Sequence, residues 1–295
     1  MKDLLFTGCG TAIITPFDEN GVNFEEFTKL IEFQIKEGAD AIIVCGTTGE
    51  ASTMAVDEKK AAIKFMVDTV HGRVPVIAGT GGNCTAESIE MSRYAESVGV
   101  NGLLLVTPYY NKTTQEGLVA HFSAIAKSVT TPIILYSVQS RTGMNINPST
   151  CLELSKISNI VGIKESSGNI SQIAEISNLC KDNLAIYSGN DDQVVPILSL
   201  GGVGVISVLA NIIPKDVHNM VDYFMHGKIK EALLLQLNTL NLTAALFSEV
   251  NPIPVKEAVN MLGYNAGIPR LPLVPLSSAG KEKLKKAMQE YGLLK

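Results

Sequence analysis

Eight short apolar runs bounded by glycine or proline recur along the first two thirds of the chain, and they restrict its fold more than any other feature. They are Gly8–Phe17, Ala41–Gly46, Val74–Thr80, Gly102–Pro108, Pro132–Val138, Ile160–Ser166, Leu184–Asn190 and Gly202–Val208. Each has the length of a strand, and its unbroken apolar character suits burial on both faces. Between them, stretches such as Phe24–Gly38 and Thr85–Gly99 carry helical spacing. Successive run starts lie 18–33 residues apart, the repeat that a closed (β/α)8 barrel requires. A doubly wound open sheet holding a dinucleotide would show GxGxxG after its first strand. Here Gly8-Cys9-Gly10 is followed by Ile13 where the third glycine belongs. The predicted fold is an α/β TIM barrel.

Beyond Val208, Lys215–Met225, Lys228–Phe247, Val255–Leu262 and Ala279–Tyr291 read as helices. One barrel unit is expected over 1–224, with a C-terminal helical extension over 225–295. A hydrophobic share of 46% excludes a disordered chain, and a net charge of −5 with no basic block argues against nucleic acid as partner. The five cysteines form no CxxC pair and sit mostly in apolar runs, as buried thiols in a reducing compartment do. No apolar run is long enough for a membrane span or a signal peptide, so a soluble cytoplasmic protein is expected. His71, His121, His218 and His226 show neither HxH nor HExxH spacing, and no metal site is expected.

In such barrels the chemistry sits at the C-terminal ends of the strands. Lys164 ends the apolar run Ile160-Val161-Gly162-Ile163. A lysine in a barrel mouth loses solvation, which favours the free amine, and a free amine forms a Schiff base with a ketone or aldehyde. The plainer alternative is a strand-end lysine snorkelling to water. Tyr136, on the neighbouring strand end, suits proton donation and acceptance during imine formation; its alternative is a core tyrosine with a hydrogen-bonded hydroxyl. Thr47-Thr48-Gly49-Glu50 offers hydroxyls and N–H groups to a carboxylate, or else a cap for the next helix. Arg141 is suited to clamp a second carboxylate, although most arginines simply face water. Thr47 and Tyr110 add polar groups at two further strand ends.

Taken in order, Gly46–Glu50, Thr107–Lys112, Tyr136 with Ser140–Gly143, Gly162–Gly168, Ser188–Asp192, Gly204–Ser207 and Asn251–Lys256 resemble the dihydrodipicolinate synthases. These belong to the pyruvate-dependent class I aldolase superfamily. The resemblance spans nearly the whole chain. It implies condensation of pyruvate with L-aspartate-4-semialdehyde on the diaminopimelate route to lysine. It also implies that Lys164 forms the imine and that Tyr136 moves protons in a relay with Thr47 and Tyr110. Thr48 and the main chain near Ile206 would hold pyruvate, Gly189 would line the pocket, and Arg141 would meet the carboxylate of the semialdehyde. No cofactor is implied beyond the covalent imine. The implied assembly is a homotetramer of tight dimers, with Tyr110 completing the neighbour's site.

N-acetylneuraminate lyase and the keto-sugar-acid aldolases are similar, but the double threonine and Arg141 favour the synthase. A catalytically silent keto-acid-binding barrel is the reading of a different class, and the complete set of reacting residues argues against it. The chain departs from the family at Gln139 and Thr113, where proline is usual, and at Ser137, where asparagine is usual. These flank the reacting groups and bear on loop rigidity.

Overall fold

Residues 2–295 are described by a computed structural model, in which the eight predicted strands close on one another. In chain order the strands are β1 Gly8–Ala12, β2 Phe17–Asp18, β3 Gly21–Val22, β4 Ala41–Val44, β5 Val76–Gly79, β6 Gly102–Val106, β7 Ile133–Ser137, β8 Ile160–Glu165, β9 Ala185–Ser188 and β10 Gly204–Ser207. All but β2 and β3 are parallel, and they run β1-β10-β9-β8-β7-β6-β5-β4 around the barrel, with β4 returning to β1.

The helices between them are α1 Phe24–Lys36, α2 Val56–Val70, α3 Thr85–Ser97, α4 Gln115–Ala126, α5 Gln139–Thr142, α6 Pro148–Leu154, α7 Ile170–Cys180, α8 Val194–Ser199 and α9 Pro214–Met225. Four more follow: α10 Ile229–Asn238, α11 Leu240–Leu246, α12 Ile253–Met261 and α13 Ser278–Tyr291. No helix among the described residues is long and apolar enough to cross a membrane.

Alternation along the strands separates two cores. Ile43, Ile77, Leu104, Ile134, Tyr136, Tyr187 and Ile206 fill the barrel interior, while Ile42, Val44, Ile133, Leu135 and Ile163 pack outward against the helices. Phe6 plugs the N-terminal end of the barrel: it stacks on Tyr187 at 4.5 Å, and the Tyr187 hydroxyl donates to the Phe6 carbonyl at 2.7 Å. Helices start where side chains can replace missing backbone partners. Asn23 Oδ1 accepts the Glu26 N–H at 3.0 Å to open α1, and Ser277 does the same for Gly280 at α13.

Two expected elements differ. The first run does not stay a strand to Phe17: β1 ends at Ala12, and Phe17–Asp18 turns back on Gly21–Val22 as a hairpin. Pro16 lacks the N–H that a ladder needs. The expected helix Lys228–Phe247 is two helices broken at Thr239, whose buried hydroxyl donates to the Gln236 carbonyl and competes with the helical bond. The short α5, α6 and α8 also went unread, because one- or two-turn helices carry too little periodicity.

The start of α12 and the segment after it reach back to the barrel mouth. Lys256 Nζ of α12 pairs with Glu50 Oε1 at 2.7 Å, and both side chains are 1% exposed. The other Glu50 oxygen accepts the Arg270 N–H at 2.9 Å. Phe17 lies against both cations, with Lys256 Nζ 4.2 Å and Arg270 Cζ 3.9 Å from its ring centre. Burial pulls the Lys256 ammonium below its usual range, and the Glu50 carboxylate pulls it part of the way back.

Candidate active site

Tyr136 and Lys164 are direct cross-strand partners at the C-terminal ends of β7 and β8. Both point inward, and they are 7% and 5% exposed. Lys164 Nζ lies 4.4 Å from the centre of the Tyr136 ring. Among the described residues Lys164 forms no ion pair. A buried amine over an aromatic face, with no carboxylate holding it, is free to act on a carbonyl.

Tyr136 lines a cavity of about 240 Å³, whose wall includes Thr47, Gly79, Tyr109, Val138 and Arg141. Thr47 is exposed to it, whereas Thr48 turns inward, is buried, and accepts a hydrogen bond from Asn251 Nδ2 at 3.1 Å. The Asn251 carbonyl accepts from Arg141 Nη2 at 3.3 Å. One residue of the extension therefore touches the threonine turn and the mouth arginine together. Ile206 is fully buried inside the barrel on β10.

Gly189 follows β9, and its position tolerates no side chain: a Cβ there would lie 1.8 Å from Ser166 Oγ. Of the expected residues, Thr47, Tyr136 and Arg141 line this cavity, while Lys164, Thr48, Gly189, Ile206 and Tyr110 are not among its lining residues, and Tyr110 alone of these is turned out to solvent. It adopts a left-handed φ of 64° and is 95% exposed. Asn83 fastens its loop, accepting from the Tyr109 N–H at 3.0 Å and from Asn111 Nδ2 at 3.1 Å.

Asp191 is a group the sequence reading passed over except as part of a motif. Its buried carboxylate accepts from Ser207 Oγ at 2.5 Å and from the N–H groups of Val208 and Leu209 at 3.0 Å each. Burial raises its pKa above the usual carboxylate range, while Ser207, the two N–H groups and the charge of Lys164 oppose that rise. Asp191 thereby fixes the turn directly after Ile206. Gln236 of α10 caps this corner, donating to the Asp191 carbonyl at 2.8 Å.

Outside the barrel wall, Ser137 and Glu165 occupy the register after Tyr136 and Lys164. Asn145 and Gln172 connect them. Ser137 Oγ donates to Asn145 Oδ1 at 3.3 Å, Asn145 Nδ2 to Gln172 Oε1 at 2.7 Å, and Gln172 Nε2 to Glu165 Oε1 at 3.2 Å. Serine at 137 is accommodated in this chain by that amide bridge.

Comparison with known proteins agrees over nearly the full length. The profile of the dihydrodipicolinate synthetase family matches residues 5–291. A 4-hydroxy-tetrahydrodipicolinate synthase of Thermoanaerobacter sp. (strain X514) is 59% identical over 292 residues, covering 99% of this chain and 98% of that protein. Among solved structures, a dihydrodipicolinate synthase superposes with a TM-score of 0.96 at 46% identity, covering 98% of this chain and all of the other. A second, described as the first monomeric dihydrodipicolinate synthase variant, has a TM-score of 0.96 at 39% identity and 98% coverage of each chain.

Proposed function

The chain belongs to the dihydrodipicolinate synthetase family, and on that footing we propose that Lys164 is the amine with which it condenses pyruvate and L-aspartate-4-semialdehyde. The observation that carries this reading is the buried, unpaired Lys164 amine over the Tyr136 ring at the barrel mouth. The neutral amine adds to the carbonyl carbon of pyruvate, and the resulting hydroxyl leaves as water. Tyr136 supplies and recovers the protons, passing them through Thr47 and Tyr110. The iminium then draws electrons from the adjacent methyl carbon, which gives up a proton and becomes the nucleophile. The imine itself is the electron sink, so this route requires neither metal nor organic cofactor.

Thr48 and the main chain at Ile206 hold the pyruvate carboxylate, with Gly189 lining the pocket. Arg141, at the mouth, takes the carboxylate of the semialdehyde, and the Asn251 carbonyl sets its direction. In this reading the protein works on the diaminopimelate route to lysine, in the cytoplasm. The reading is tested by incubating the purified protein with pyruvate and either the semialdehyde or N-acetylmannosamine. Consumption of the semialdehyde is expected; turnover confined to the amino sugar would assign a sugar-acid lyase, and no turnover with either a silent barrel.

The exposed Tyr110 bears on assembly. In this reading it enters a partner subunit's site across a tight dimer, and two dimers form a tetramer. Mixing Tyr110→Phe subunits with Lys164→Ala subunits under exchange conditions should restore activity, because some mixed dimers then hold one intact site. Absence of recovery despite demonstrated exchange would mean that each chain completes its own relay.

A further inference from the structure

We propose that Asn251 is a positioning residue for pyruvate: its side-chain amide, by donating to the Thr48 hydroxyl, turns the single proton of that hydroxyl toward the substrate carboxylate. The inference rests on the reading above, in which Thr48 holds that carboxylate. Asn251 itself touches no substrate and acts through Thr48.

Both residues are buried, Thr48 at 3% and Asn251 at 6% exposure, and Asn251 Nδ2 donates to Thr48 Oγ1 at 3.1 Å. A threonine hydroxyl has one proton and two lone pairs. With a lone pair taken by the amide, Thr48 is left as a donor, and among the described residues its proton has no acceptor. A carboxylate only accepts, so a hydroxyl can hold it only by pointing its proton at it. The amide N–H also polarises the hydroxyl and so strengthens its donation.

The other end of the amide shows what the side chain is kept for. Asn251 Oδ1 is buried without a hydrogen-bond partner. Leucine has a similar shape and would leave no orphaned oxygen, whose burial is costly. What asparagine supplies and leucine lacks is the N–H given to Thr48. The place of that N–H is fixed from two sides. Lys256, on the following helix α12, pairs with Glu50 at the end of the same turn that carries Thr48. The Asn251 carbonyl accepts from Arg141 Nη2 at 3.3 Å. This last contact uses the main chain and survives a change of side chain, whereas the contact to Thr48 does not.

The test is the pyruvate concentration that half-saturates borohydride trapping on Lys164, a measurement that involves no aldehyde. Asn251→Ala should raise it roughly 3- to 10-fold, the worth of one neutral hydrogen bond. Asn251→Asp should raise it further, because the introduced carboxylate takes the Thr48 proton for itself. It also keeps the shape of the side chain, so it serves if the alanine variant does not fold. The KM for the semialdehyde should change less in both variants, since Arg141 keeps its carbonyl. Thr48→Val should itself weaken pyruvate binding, and adding Asn251→Ala to it should cause no further loss. Additive losses would overturn the proposal and leave Asn251 a residue of the fold. Pyruvate binding by Asn251→Asp as tight as in the wild type would overturn it too, because the amide would then be accepting from Thr48. If the wild type forms no adduct on Lys164, the Schiff-base reading falls and takes the proposal with it.

Discussion

Lys164→Ala is expected to remain folded while losing at least roughly 10³-fold in turnover, the scale seen when the nucleophile of a concerted site is removed. The wild type, treated with borohydride in the presence of pyruvate, should be inactivated and carry a reduced secondary amine on the peptide that contains Lys164. The variant should carry none. Folding is expected to survive because Lys164 forms no ion pair among the described residues, and the buried Asp191 carboxylate that feels its charge keeps its bonds from Ser207 and the Val208 and Leu209 N–H groups. Peptide mapping of the trapped adduct decides the matter, and an adduct on a different lysine would remove Lys164 from its role.

The second large effect concerns Lys256, which lies far from Lys164 in sequence. Lys256→Met leaves the Glu50 carboxylate buried without its cation, and removing one partner of such a pair costs about 3–5 kcal/mol. Denaturant unfolding should show that loss. Glu50→Gln combined with Lys256→Met removes both charges and keeps an acceptor for the Arg270 N–H, so the double variant should be more stable than Lys256→Met alone. Activity should follow the same order, because Glu50 ends the Thr47–Glu50 turn that faces the cavity. Equal stability of the single and double variants would show that the pair is not coupled.

The barrel was legible because buried parallel strands write themselves as unbroken apolar runs, and eight of them have one closed arrangement with this spacing. Lys164 and Tyr136 stood out for a related reason: each is a polar residue ending such a run, at the end of the barrel where sites form. What could not be read depends on partners that the sequence keeps far apart. Thr48 meets Asn251 across 203 residues and Glu50 meets Lys256 across 206. Nothing local to either member signals the other. The break at Thr239 escaped notice because apolar periodicity continues straight through it.

The fastening of the threonine turn by Asn251, Lys256 and Arg270 also orders events during synthesis. The ribosome makes Lys164 about a hundred residues before Arg270, an interval of roughly 5–20 s at ordinary elongation rates. All eight strands are made before that interval ends, whereas the Thr47–Glu50 turn still lacks its buried cation and its amide donor. Lys164, the proposed nucleophile, is thus made early in a nascent chain whose Thr47–Glu50 turn is fastened late. A chain that ends within the extension lacks Lys256 and Arg270, and with them the cation and the amide N–H that hold Glu50 at the end of the Thr47–Glu50 turn.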